Sequence, residues 1–166
     1  YYASQVLAQG FEYTPQAQGD GLRPVYASNV AVLTDFEIGK AVRYALAEDK
    51  ASADITTQAI FTHAAKAQAR IFVKADCVLC GVRLAEQTFR YFEPGIKIEI
   101  ESADGDILKP GQTVMRFQGD IRTILRGERV ALNFIAFMSA IATRTHRVAE
   151  AVKPYGVRVL DTRKTV

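Results

Sequence analysis

Apolar and polar positions in this chain switch between a helical period and a period of two, and the switches mark its elements. The first sustained period follows Thr34, where Ile38, Ala41, Val42, Ala45 and Leu46 recur at helical spacing and predict one apolar face. Thr34-Asp35-Phe36-Glu37 has the capping-box spacing, in which the Thr hydroxyl and the Glu carboxylate satisfy orphan amides. Glu48-Asp49 close this segment, and residues 52–57 (SADITT) read as a polar turn entering an extended piece. From Ala67 the period falls to two: Ala69, Ile71 and Val73 alternate with Arg70, Phe72 and Lys74, and Cys77 to Gly81 carry the apolar run into a turn. Leu84, Ala85, Thr88 and Phe89 predict a short helix ending near Phe92, before Pro94-Gly95. Ile96, Ile98 and Ile100 alternate with Lys97, Glu99 and Glu101 as a half-buried strand. Asp104-Gly105 and Pro110-Gly111 are turn signals, and Ile107, Val114, Met115 and Phe117 complete a small meander around them.

A long helix is predicted from about Ile121. Leu125, Leu132, Ile135 and Ile141 supply its bulk, while Arg129, Asn133, Ala136, Ala140, Thr143 and Arg147 form a second stripe at steps of three and four. The alanine middle of that stripe would let another backbone approach, with an arginine at each end. Pro154 and Gly156 break the helix. Val157 and Val159 then alternate with Arg158 and Leu160 as a buried strand delivering Asp161-Thr162-Arg163-Lys164-Thr165.

These patterns divide the chain into three parts. Residues 1–33 lack a sustained period and are an arm, either flexible or docked on a partner through Tyr1, Tyr2, Phe11, Tyr13 and Tyr26. Residues 34–120 are an α+β unit with a mostly antiparallel sheet, and residues 121–166 are the long helix and one strand.

Composition narrows the function. The 166 residues are 49% hydrophobic and 23% charged, as in a globular protein long enough to need no staple. A net charge of +3 spread along the chain excludes nucleic acid as the expected partner and suits a small anionic ligand. No run of 18 apolar residues predicts a membrane span, and the stretch before Gly10 lacks the pattern of a signal peptide. The chain begins at Tyr1, so it reads as a mature form or as part of a longer product. Cys77 and Cys80 form a single C-x-x-C, for which a redox pair and half a zinc site are the sharp readings. His63 and His146 have no ligand spacing to them, so buried, inert thiols and no metal are expected. Reduced thiols place the protein in an intracellular compartment, the cytosol or the mitochondrial matrix.

Six motifs in unbroken order then carry a resemblance: ALAEDKASADITT (45–57), VLCG (78–81), ADGD (103–106), ERVALNF (128–134), SAIATRT (139–145) and LDTRKT (160–165). Over residues 34–166 the chain resembles the quinolinate phosphoribosyltransferase family; a molybdenum-transport-associated relative shares several of these motifs. The resemblance implies an N-terminal α/β sandwich followed by an incomplete α/β barrel, in a dimer or larger oligomer where one subunit's sandwich covers its neighbour's barrel. It implies that quinolinate and phosphoribosyl pyrophosphate combine to nicotinate mononucleotide, with loss of pyrophosphate and carbon dioxide, on the route to NAD. Magnesium would accompany the pyrophosphate group, and no cofactor is expected in this chain itself. Quinolinate is a dicarboxylate and its co-substrate carries phosphates, which planar arginine forks bind in pairs of hydrogen bonds while lysine adds point charge. By this resemblance Arg163 and Lys164 face the substrates at a barrel strand's C-terminal end, Thr162 assists, and Arg129 reaches the neighbouring subunit's site. Taken singly, Arg129 reads as a structural salt bridge and Arg163-Lys164 as a solvated strand end; the ordered motifs turn both toward substrate binding.

The chain departs from the family pattern at Ala53 and Ala140, where glycine is usual, in residues 1–33, and in stopping after one barrel strand. The family's later histidine, arginine, lysine and acidic residues are absent, so these 166 residues are expected to be inactive alone. The alternative is a structural or assembly subunit of a larger complex, derived from that enzyme, with another subunit covering the open barrel edge. A carrier module is a third reading, since the turn at 104–106 is similar to lipoyl-like sandwiches, but Asp106 stands where those have lysine.

Overall fold

Capping starts the fold where the pattern placed it. The structure, a computed structural model, describes residues 33–160. The expected arm, apart from Leu33, and the DTRKT residues Thr162, Arg163 and Lys164 lie outside the described residues. Thr34 caps helix α1 (Asp35–Glu48) with both halves of a capping box: its hydroxyl accepts from the Glu37 amide and the Glu37 carboxylate accepts from the Thr34 amide. Leu33 and Ile38 are buried in one cluster, the staple arrangement that fixes how the chain enters a helix.

Residues 52–57 are not the entry to an extended piece. A 3-10 turn (Ala51–Ala53) leads into a short helix α2 (Ile55–Ile60). The cause is Asp54, whose carboxylate accepts hydrogen bonds from the Thr57 amide and hydroxyl and so caps the new helix. Those bonds also hold the Asp54 carboxyl below its ordinary pKa.

Strands β1 (Lys66–Phe72), β3 (Lys97–Ile100) and β5 (Thr113–Asp120) form an antiparallel sheet in the order β1-β5-β3. Its register sets Ala69 and Ile98 on either side of Phe117, so these three share the inner face. Strands β2 (Cys77–Val78) and β4 (Ile107–Leu108) make a separate two-stranded ladder. Helix α3 (Val82–Phe92) and the long helix α4 (Ile121–Val152) cover the inner face. A second cluster joins α1, α3 and α4 through Val42, Leu46, Leu84, Val130 and Met138.

Helix α4 turns in only part of the bulk expected to face the core: Ile135 is buried and Ile141 partly so. Leu125 and Leu132 are exposed, whereas Gly127, Val130, Ala131, Ser139 and Ala142 are buried. The reason is Phe89, which is fully buried, with its ring 4.5 Å from that of Phe117 and its edge against Gly127. Only a small residue lets the helix axis come so close. Residues 157–160, expected as a buried strand, have no regular secondary structure, and Val157, Val159 and Leu160 are exposed. A strand is made by its neighbours, and among the described residues none lies beside this segment.

The ADGD turn also has a structural task. Gly81 sits at the start of α3 with φ of 103° and offers no capping side chain. Asp104 supplies one from a distance, its Oδ1 accepting from the Val82 amide at 2.9 Å. Burial raises the Asp104 carboxyl above its ordinary pKa, against the lowering effect of the Val82 and Gly81 amides.

Two outcomes follow. Gly127→Val places a branched side chain where even a Cβ would stand 2.8 Å from the Phe89 ring. Overpacking should lower the unfolding free energy by about 2 kcal/mol or more, beyond any gain in helix propensity, as read by urea denaturation. The raised Asp104 pKa means that the folded state binds this proton more tightly than the unfolded chain does. Its contribution therefore favours folding at low pH and is lost as pH rises from 3.8 through the raised value. Relative to Asp104→Asn, the wild type should be more favoured at about pH 3.5 than at about pH 7 in paired denaturation curves.

Candidate functional site

The motifs interlock in space. Ser139 and Thr143 stand one turn apart on α4 and both face the C-x-x-C segment. The Thr143 hydroxyl accepts from the Val78 amide at 2.9 Å. The Ser139 hydroxyl accepts from the Cys80 amide at 3.0 Å and donates to the Cys80 carbonyl. Gly81 completes this contact: an added Cβ would lie 3.1 Å from the Phe134 carbonyl oxygen and from Met138 Sδ. So the serine and threonines of SAIATRT include partners for an otherwise unpaired strand edge, which is why leucine does not stand there.

This packing settles the chemistry of the two cysteines. Both thiols are free; Cys77 is half-buried and Cys80 buried. Burial, with a smaller contribution from the Asp104 charge, pushes the Cys80 thiol up to about 12, and Cys77 is raised by burial and by Asp76. A reactive thiolate needs the opposite environment. Among the described residues no group of three or more His, Cys, Asp or Glu side chains could hold a metal ion.

Arg129 is on the outward face of α4, with Asn133, Ala136, Ala140 and Arg147 exposed along the same stripe. Its Nη1 donates to Oδ1 of Asp49 at 3.2 Å, across 80 residues of sequence. The two halves are unequal: the Arg129 side chain is 75% exposed and the Asp49 side chain 19%. Thus a salt bridge is present, and most of the guanidinium is still presented to solvent. Among the described residues its Nε and Nη2 bond no acceptor.

One turn earlier, Arg126 ties the same two regions together. Its Nε donates to the Ala51 carbonyl at 3.1 Å, and its guanidinium lies 4.4 Å from the centre of the Phe92 ring. Arg126 also lines an open cleft of about 920 Å³ at the end of the sheet, with Lys66, Lys97, Glu93 and Arg122. Arg122 is neutralised there by Asp120 at 2.6 Å, a contact that lowers the Asp120 pKa. The sequence reading missed both Asp49, taken only as a helix end, and Arg126. The signal was available for Arg126, which precedes Arg129 by three and so shares its side of the helix.

The comparisons with known proteins fit this arrangement. The family model described as quinolinate phosphoribosyl transferase, N-terminal domain, matches residues 54–139. A quinolinate phosphoribosyltransferase [decarboxylating] of Nicotiana glauca is 34% identical over 131 residues, 78% of this chain and 37% of the relative. A chloroplastic nicotinate-nucleotide pyrophosphorylase [carboxylating] of Arabidopsis thaliana matches at the same identity and coverage. Among solved structures, NadC of Streptococcus pyogenes superposes with a TM-score of 0.76 at 37% identity, over 81% of this chain and 48% of that one. The nicotinate-nucleotide pyrophosphorylase of Francisella tularensis gives 0.75 at 30% identity over the same shares. The chain therefore spans well under half the length of those curated relatives.

The thiol chemistry makes its own prediction. At about pH 8 Cys80 should resist an aromatic disulfide reagent in the native protein and react at once in denaturant, as followed by thiol titration. Rapid native labelling of both cysteines would contradict the buried environment.

Proposed function

As the chain belongs to the quinolinate phosphoribosyltransferase family and carries its N-terminal domain, we propose that it supplies one wall of a site where quinolinate and phosphoribosyl pyrophosphate react. The products are nicotinate mononucleotide, pyrophosphate and carbon dioxide, a step of NAD biosynthesis. The observation that carries this reading is Arg129: a guanidinium in the ERVALN motif, 75% exposed, on an outward helix face with donors to spare. Such a fork suits one carboxylate of a dianionic substrate. Thr162, Arg163 and Lys164 would serve the phosphates and the other carboxylate, with fixed cations stabilising the departing pyrophosphate.

Arg129 is on the outward face of α4, and by the family resemblance the site it serves belongs to a second subunit, which would cover that face from Leu132 to Phe137. Magnesium travels with the diphosphate. Among the described residues no cluster of ligands would hold it. A reducing compartment, the cytosol or the mitochondrial matrix, suits the free thiols; among the described residues no helix is long and apolar enough to cross a membrane.

The exposed aromatic side chains Phe36, Tyr44 and Phe137 favour a second reading, a docking subunit retained without catalysis. One experiment separates the two. The protein, purified at its native length, is assayed with quinolinate, phosphoribosyl pyrophosphate and magnesium, and nicotinate mononucleotide is read by chromatography. Product should form, and Arg129→Ala should raise the KM for quinolinate by about tenfold or more. Absence of product, with co-purifying partners in the same preparation, would establish the docking role instead.

A further inference from the structure

We propose that Asp49 is a positioning residue: it holds the Arg129 guanidinium so that one edge stays open for a substrate carboxylate. The inference rests on the reading of Arg129 given above. Three observations support it.

Asp49 is locally out of place. It is the C-cap of α1, its amide donating to the Ala45 carbonyl, and no basic residue stands in that last turn. A carboxylate there meets the negative end of the helix dipole. Among the described residues, the one side chain that bonds this carboxylate is Arg129. The anion is the sunken partner, 19% exposed, and the cation the outward one.

The turn that carries Asp49 is fixed to the helix that carries Arg129. Lys50 adopts a left-handed conformation, φ of 54°, the one positive φ outside glycine among the described residues. That conformation is unfavourable for a lysine and persists where the surroundings impose it. Ala51, next along, is buried and accepts from Arg126, which is laid over Phe92. Arg126 and Arg129 are three residues apart on α4, so the position of the carboxylate relative to the guanidinium is set by one rigid element.

The geometry also leaves the right part of the guanidinium free. Asp49 takes Nη1, and the Nε–Nη2 edge has no acceptor among the described residues. That edge is one of the two by which an arginine grips a carboxylate through paired hydrogen bonds. Without Asp49 the long side chain would wander among its rotamers, and binding would have to order it.

The test is a double-mutant cycle on the native-length enzyme, read as the KM for quinolinate. Asp49→Asn should raise that KM about five- to twentyfold, with kcat and the KM for phosphoribosyl pyrophosphate within about twofold of wild type. Asp49→Glu should recover part of the loss. In Asp49→Asn combined with Arg129→Ala, the KM should match that of Arg129→Ala alone, because the carboxylate acts only through the arginine. Multiplying effects in the double variant would overturn the positioning role while leaving Arg129 as a substrate ligand. An Arg129→Ala enzyme with unchanged quinolinate KM would overturn the functional reading itself. A merely structural role would lower the melting temperature of Asp49→Asn without this separation of KM from kcat, and that result also overturns the proposal.

Discussion

Phe89 stands between the sheet and the long helix with none of its side chain reaching solvent, and its ring sets the distance between those layers. Phe117 covers it from the sheet, and Gly127 meets it from the helix. Where the helix lies this close, Gly127 admits the ring, and Ala131 is buried in the same cluster with Ile124 and Ile135. Farther along, Ser139 and Ala142 are the small buried residues, beside Met138. The hydroxyls among these small residues then reach the backbone of the C-x-x-C segment. The outward stripe, with Arg129 on it, is what remains once the inner stripe is chosen. The placement of the candidate site thus follows from a packing decision made one helix turn away.

Much of the fold was legible because its signals are local. A capping box spans four residues, and Thr34 and Glu37 behave as their spacing requires. The period-two runs at 66–72 and 97–100 became strands, and the helix from Ile121 ended close to Pro154. The failures share a different character. Ile55-Thr56-Thr57 are β-branched and read as extended, yet Asp54 caps them into a helix. Residues 157–160 alternate as a strand should, but pairing is a relation between segments, and alternation cannot supply the other one. For α4, counting bulky residues found Ile135 but also named the exposed Leu125 and Leu132, because part of the inner face is the glycine and alanine that admit Phe89.

The site was legible in one half. Arg129 stands out as a charge on an apolar helix, and its motif pointed to a carboxylate ligand. Asp49 could not be matched to it, since no periodicity connects residues 80 apart in sequence. What pairs them is the turn at Lys50 and Ala51, whose backbone conformation lies outside any pattern of apolar and polar positions. The motifs are thus better read as contacts than as separate signatures. ED meets ERVALN through an ion pair, and VLCG meets SAIATRT through two hydroxyls.

Helix α4 has one mechanical property that its packing alone does not express. It is 32 residues long, about 48 Å at an ordinary rise. Its buried contacts run from Thr123 to Ala142, and the last ten residues extend past them. It is therefore clamped from Thr123 to Thr143, whose hydroxyl accepts from the Val78 amide, and it reaches beyond those contacts only after that point. A tilt of only about 5° there displaces the far end by about 1 Å over the remaining turns. The direction of whatever follows Val152 is thus set jointly by the Phe89 ring against Gly127 and by the Ser139 and Thr143 hydroxyls on the C-x-x-C segment, so the same contacts that hold the domain together also aim its exit.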